Sequence, residues 1–264
     1  MKKISVVMSM LFLAALSVDV FAIGNIGTPT AELKAGQWSV GGDYAYSDID
    51  LDMGRMKYFH SILGPMETAF EFDDVKTNFY YATLGYGLSD NWEVYGRLGI
   101  ADIKSDSRWP EDSSVWTGRN FDNDLVWGVG TKFTFYKQDK VRWGVTAQMS
   151  WIDTTSVVYR SVDDTKQTFD LSVYDLLVAV GPTVDMGGWK LYGGPFFYMV
   201  NGDVDMKETF PGGWWKGSAD VEEDSSFGGY IGAAIPLAEK IDMTFEVAAI
   251  SDGWAAGTGV IVRF

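Results

Sequence analysis

Apolar and polar residues alternate with a period of two through most of the chain, and the run 141–151 shows the pattern most plainly. One set of positions holds Val141, Trp143, Val145, Ala147, Met149 and Trp151; the intervening set holds Arg142, Gly144, Thr146, Gln148 and Ser150. Successive side chains of an extended strand point to opposite faces, so this run is a strand with one greasy and one polar side. Comparable segments fall at 36–47, 75–88, 91–104, 122–136, 141–153, 169–185, 189–201, 225–237, 241–251 and 254–264. Each is long enough for the roughly 9 to 11 tilted residues that cross a bilayer as a β-strand. The predicted class is all-β, with about ten strands and a range of roughly 8 to 12.

The connections between these segments alternate in length. Short ones are Ser89-Asp90-Asn91, Lys137-Gln138-Asp139-Lys140, Met186-Gly187-Gly188 and Ala238-Glu239-Lys240; long ones cover 48–74, 105–121, 154–168 and 202–224. Asp252-Gly253 is expected to make a final tight hairpin. Alternating short turns and long loops predict a closed, antiparallel, up-and-down transmembrane barrel over residues 36–264 with both termini on the short-turn, periplasmic side. A two-residue turn at Asp252-Gly253 would pair Ser251 with Trp254, Glu246 with Gly259 and Asp242 with Arg263. Met243, Phe245 and Val247 then face lipid beside Val262, Val260 and Thr258, while Arg263 turns inward; a one-residue slip would expose it to lipid.

The start of the chain has a different character. Met1-Lys2-Lys3 precedes an apolar run from Ile4 to Leu16 and then Val20-Phe21-Ala22, the basic start, hydrophobic core and small-residue cleavage site of a secretory signal peptide, expected at 1–22. Residues 23–35 are expected to form a separate periplasmic segment ahead of the barrel. There is no cysteine, so neither a disulfide framework nor a lipid-modified cysteine supports the fold. The net charge of −15 argues against a nucleic-acid binder, and 15% aromatic residues argue against a disordered acidic chain. The aromatics require burial, in a protein core if the chain is a soluble secreted β-protein, or against lipid if it is a barrel.

With its leader, its alternating segments and the ending Gly257-Thr258-Gly259-Val260-Ile261-Val262-Arg263-Phe264, the sequence resembles the bacterial outer-membrane β-barrel proteins of Gram-negative cells. In that class a terminal aromatic preceded by apolar residues at every second position looks like the signal read by the barrel-assembly machinery. The resemblance therefore implies that Phe264 is an assembly signal, and that the partners are outer-membrane lipid, lipopolysaccharide and that machinery. The last strand is its one specific motif, and no subfamily follows from it.

Taking the lipid face from the alternation, the inward set includes Asp43, Glu93, Arg97, Asp124, Lys132, Arg142, Asp175, Asp185, Lys190, Asp242, Glu246 and Arg263. Such a mixture makes either a charged constriction that selects solutes or a salt-bridge network that closes a narrow barrel. Ten strands lie near the closed end of the size range, because about eight are just filled by side chains and open channels appear near 16. Inward glycines (Gly41, Gly85, Gly87, Gly99, Gly128, Gly130, Gly144, Gly181, Gly257 and Gly259) leave room inside, and are read as relief of crowding and strand curvature.

The loops carry the acidic balance. Asp48-x-Asp50-x-Asp52 presents oxygen ligands at alternate positions but lacks the glycine and distant glutamate of an EF-hand loop, so it is a weak metal candidate. Trp214 and Trp215, within Phe210-Pro211-Gly212-Gly213-Trp214-Trp215-Lys216-Gly217, are candidate contacts for a sugar or partner, or else fold over the mouth or into the headgroup region. The one histidine, His60, has no acid two residues before it and a serine adjacent rather than two positions away, so it matches neither the protease nor the lipase pattern of barrel enzymes. The expectation is a non-enzymatic barrel without cofactor, its lumen polar and mostly occluded, with a structural or adhesive surface role. The alternative is a narrow channel for small solutes.

Overall fold

The computed structural model describes residues 24–62, 64–108, 117–160, 164–222, 226–251 and 253–264; the signal peptide expected at 1–22 lies outside them. Eleven strands form one antiparallel sheet: β1 (Trp38–His60), β2 (Gly64–Ser89), β3 (Trp92–Arg108), β4 (Thr117–Gln138), β5 (Val141–Arg160), β6 (Thr165–Asp185), β7 (Lys190–Phe210), β8 (Gly213–Glu222), β9 (Ser226–Ala238), β10 (Ile241–Ile250) and β11 (Gly253–Arg263). Ten of them close a barrel, with β11 pairing β1 and β9 pairing β7. Closure satisfies the strand edges within this ten-stranded part, the condition for a sheet to sit in lipid.

The alternation is realised strand by strand. Along β10, Asp242, Thr244, Glu246, Ala248 and Ile250 are buried while Phe245 and Val247 face out. Leu84, Leu98, Leu125 and Val129 are about half exposed or more on the outside. Burying such a side chain is worth about 1.5–3 kcal/mol, so a belt of them belongs in lipid rather than water, which decides against the soluble alternative. Trp38, Trp92, Trp143 and Trp189 ring the short-turn end of this belt, and at the other end Trp127 stacks on Trp151 and Tyr46 packs on Trp254. Tryptophan is favoured at both boundaries because its ring is apolar and its N–H is not.

Four features differ from the sequence-based expectation. The stretches read as long loops are mostly strand: β1 and β2 run on as far as His60 and Gly64, and β7 and β8 to a tip at 211–212. In the hairpin of β10 and β11, Ile250 pairs with Gly253, Glu246 with Gly257 and Asp242 with Ile261. That register is two residues from the expected one and so keeps every side chain on its face. Above the membrane belt β8 replaces β9, β10 and β11: it pairs with the far half of β7 and with Lys57–His60 of β1, so β1–β8 continue as an eight-stranded extension, its sheet interrupted between β4 and β5, whose pairing ends at Val126 and Ile152.

The fourth difference is inside. The half of the lumen toward the extension is packed mainly with apolar side chains, Phe79, Ile103, Val126, Phe169, Leu177, Phe196, Val200, Val204 and Met206, all nearly inaccessible, with the small polar residues Ser47, Thr77, Thr154 and Ser156 also buried there. These strands carry large apolar residues on both faces, so the expected interior of charged residues is concentrated in the half toward the short turns.

Candidate functional site

The polar half of the lumen is filled by residues 24–35, which fold into the barrel instead of standing apart from it. Ile26, Thr28, Thr30, Ala31 and Leu33 are buried there. A segment with no regular structure exposes its own backbone donors, and inside a barrel these must find partners. Ile26 N and Gly27 N donate to the two oxygens of Glu246 on β10 (2.7 and 2.8 Å), and Ala31 N donates to Thr134 Oγ1 on β4 (2.9 Å). Glu32 N and Leu33 N donate to Glu93 on β3 (2.8 and 3.2 Å), and Thr30 Oγ1 is 2.8 Å from Thr183 Oγ1 on β6.

Glu32 is the hub. Its carboxylate accepts from Arg142 Nη2 on β5 (2.5 Å) and from Lys190 Nζ on β7, while Arg142 Nη1 also donates to Ala31 O (3.0 Å). Burial alone would raise the Glu32 carboxyl; the charges of Lys190 and Arg142, with Arg263 farther off, outweigh it and hold the carboxyl below its ordinary value. The segment thus ties together β3, β4, β5, β6, β7 and β10.

Several inward glycines give it space. A Cβ on Gly144 would sit 2.4 Å from Pro29 O, and one on Gly87 would sit 2.0 Å from Lys34 O. Gly85 and Gly257 likewise lie against Leu33 and Asn25. Between the segment and the β1–β11 wall a cavity of about 80 Å³ is left, bordered by Asn25, Asp43, Arg97 and Lys132. It has room for a few water molecules.

Most residues expected in the lumen network are brought together. Arg97 pairs with Asp43 at 2.7 Å and donates to Gln148; Lys132 lies 3.7 Å from Glu93; Arg263 reaches Asp242 at 2.5 Å, now diagonally across the hairpin. Asp175 stands opposite Ser150 in register, and Asp124 accepts from Thr154. Asp185 is apart from the network: it is exposed at the end of β6, where its carboxylate accepts from Gly187 N of the following turn at 2.8 Å. Glu32, the centre of the cluster, was not among the sequence candidates; the glycines around the segment were its visible trace.

At the other end, Trp214 is exposed on β8 and Trp215 turns inward against the apolar core. His60 accepts from Ile62 N and stacks on Phe210, 5.7 Å between ring centres. Asp48 lies on β1 and accepts from Tyr46 OH; the side chains of Asp50 and Asp52 lie outside the described residues. Among the described residues no group of three potential metal ligands converges. Phe264 closes the seam, its N–H donating to Trp38 O (3.0 Å) and its C=O accepting from Trp38 N (3.2 Å).

No protein-family model matches the chain, and no curated protein matches it by sequence. Among solved structures, the outer membrane protein OprG from Pseudomonas aeruginosa aligns over 88% of this chain and 97% of its own, with a TM-score of 0.51 and 12% identity. The outer membrane protease OmpT from Escherichia coli aligns over 85% of this chain and 94% of its own, with a TM-score of 0.47 and 9% identity. At 12% identity the likeness to OprG is one of fold: together with the closed ten-stranded wall, it gives the chain the fold of the bacterial outer-membrane β-barrels.

Proposed function

We propose that the chain is a non-enzymatic, non-conducting outer-membrane barrel whose role, structural or adhesive, is exercised by the eight-stranded extension. The observation that carries this reading is the seated segment 24–35, bonded to six strands and capped by an apolar layer. A solute path would require both the polar and the apolar filling to move. In this reading the short-turn end faces the periplasm, the extension faces out, lipopolysaccharide surrounds the belt, and Phe264 is read by the barrel-assembly machinery.

A narrow channel for small solutes is the second reading, favoured by the residual cavity beside the segment. Planar-bilayer recording on refolded protein separates the two. The closed barrel leaves the baseline current unchanged, whereas a channel gives reproducible single-channel steps. For catalysis, His60 is held by Ile62 and Phe210, and a hydrolytic activity abolished by His60→Ala would contradict the non-enzymatic reading.

A further inference from the structure

Two consecutive rungs on the outer face of the extension cross neighbouring strands and line one groove of about 770 Å³. The first rung runs Asp170 on β6, Asp205 on β7, Ser218 on β8, Lys57 on β1 and Glu67 on β2, each in register with the next. The second, nearer the hairpin tips, runs Lys207, Lys216, Phe59 and Pro65 on β7, β8, β1 and β2. Trp214 stands at the tip end, its ring 6.0 Å from that of Phe59 and 5.8 Å from Lys216 Nζ.

The charge order is unusual for a chain with so many acids. Lys207 and Lys216 stand directly opposite each other, an arrangement that like charges disfavour. Among the described residues no ion pair includes Lys207, Lys216 or Lys57. An anion between the two ammonium groups would remove the repulsion. A bare anion is a poor fit, however, because Asp205 and Asp170 lie one rung away. The groove matches a molecule that offers an anionic group to one rung, hydroxyl donors to the other and an apolar ring face to Phe59 and Trp214.

We propose that this groove binds a phosphorylated saccharide. The phosphate lies between Lys207 and Lys216 with Lys57 behind it; the sugar ring lies on Phe59 beneath Trp214; hydroxyl groups donate to Asp205 and Glu67. The proposal rests on the interaction role given above to the extension and is independent of whether the lumen is closed. The saccharide comes either from lipopolysaccharide of the same membrane or from a soluble glycan.

The test is isothermal titration of the protein, refolded in detergent, with phosphorylated core oligosaccharide freed of its lipid. Saturable binding is expected, weakened about tenfold or more when the oligosaccharide is dephosphorylated and in the Lys207→Gln/Lys216→Gln double variant, since hydrogen bonds to charged groups are lost. Phe59→Ala, which leaves the charges in place, is expected to weaken it too. The gel shift on heating verifies that each variant is folded. Repeating the titration in vesicles containing intact lipopolysaccharide identifies the source: loss of free sites there assigns the groove to the membrane's own saccharide, and persistence assigns it to a soluble one. No saturable binding, or equal binding by the double variant, overturns the proposal. Bilayer recording on the same preparation tests the closed lumen separately, so the two failures are distinguishable.

Discussion

Glu32 joins two cations from different strands to the segment that carries it, so its removal leaves Arg142 and Lys190 without a counter-charge. Both side chains are about a quarter exposed, which lowers the cost from that of a dry pair. Glu32→Gln is expected to cost on the order of 2 kcal/mol, measured as the shift in denaturant midpoint of the refolded barrel. The folded carboxyl lies below its unfolded value, so the clamp contributes fully above pH of about 4.3 and is lost as pH falls through the folded value. The stability difference between wild type and Glu32→Gln is therefore expected to be constant near neutrality and to shrink in acid; a difference that persists there contradicts the clamp. Gly144 gives a steric counterpart. Because a Cβ there meets Pro29 O at 2.4 Å, Gly144→Val is expected to unseat the segment at a cost of about 1–3 kcal/mol. The chain has no cysteine, so Asn25→Cys is a clean reporter: it should react with a bulky water-soluble maleimide in the Gly144→Val background and resist it in the parent.

At the scale of elements, the membrane strands were legible because one face of each meets lipid and the other does not, which imposes the period of two. The short turns were legible for the same reason, as breaks in that period; Asp139, which adopts a positive φ of 48°, occupies one of them. The hairpin of β10 and β11 was misplaced because Asp252-Gly253 carries a strong turn signal, yet Gly253 already belongs to β11, buried and paired with Ile250. The far parts of β1, β2, β7 and β8 were read as loops because a strand standing in water carries charges on its outer face, as Lys57, Glu67, Asp205 and Lys207 do, so lipid no longer imposes the alternation. The inner segment had no period at all; only Gly85, Gly87, Gly144 and Gly257 marked it, and a glycine leaves room without stating what fills it. The closing strand makes its own prediction. Phe264 forms both backbone bonds to Trp38, so its deletion should lower the amount of barrel assembled in cells, read as loss of the heat-shifted band; an unchanged yield would contradict the assembly role proposed for it.

For the molecule as a whole, ten strands form the membrane wall and eight form the extension, and the lumen is filled by different means at the two levels. Toward the short turns a threaded segment satisfies inward charges and donors; toward the extension, apolar side chains meet across the narrowing wall. The two fillings are independent, so deleting residues 24–33 should lower stability while the apolar layer still blocks current. What the protein offers to its surroundings is then its outer surface, with the belt for lipid and the groove for a ligand. Planar-bilayer recording on the intact refolded barrel tests this account most directly: it predicts a flat baseline under applied voltage, and reproducible unitary current steps would contradict it.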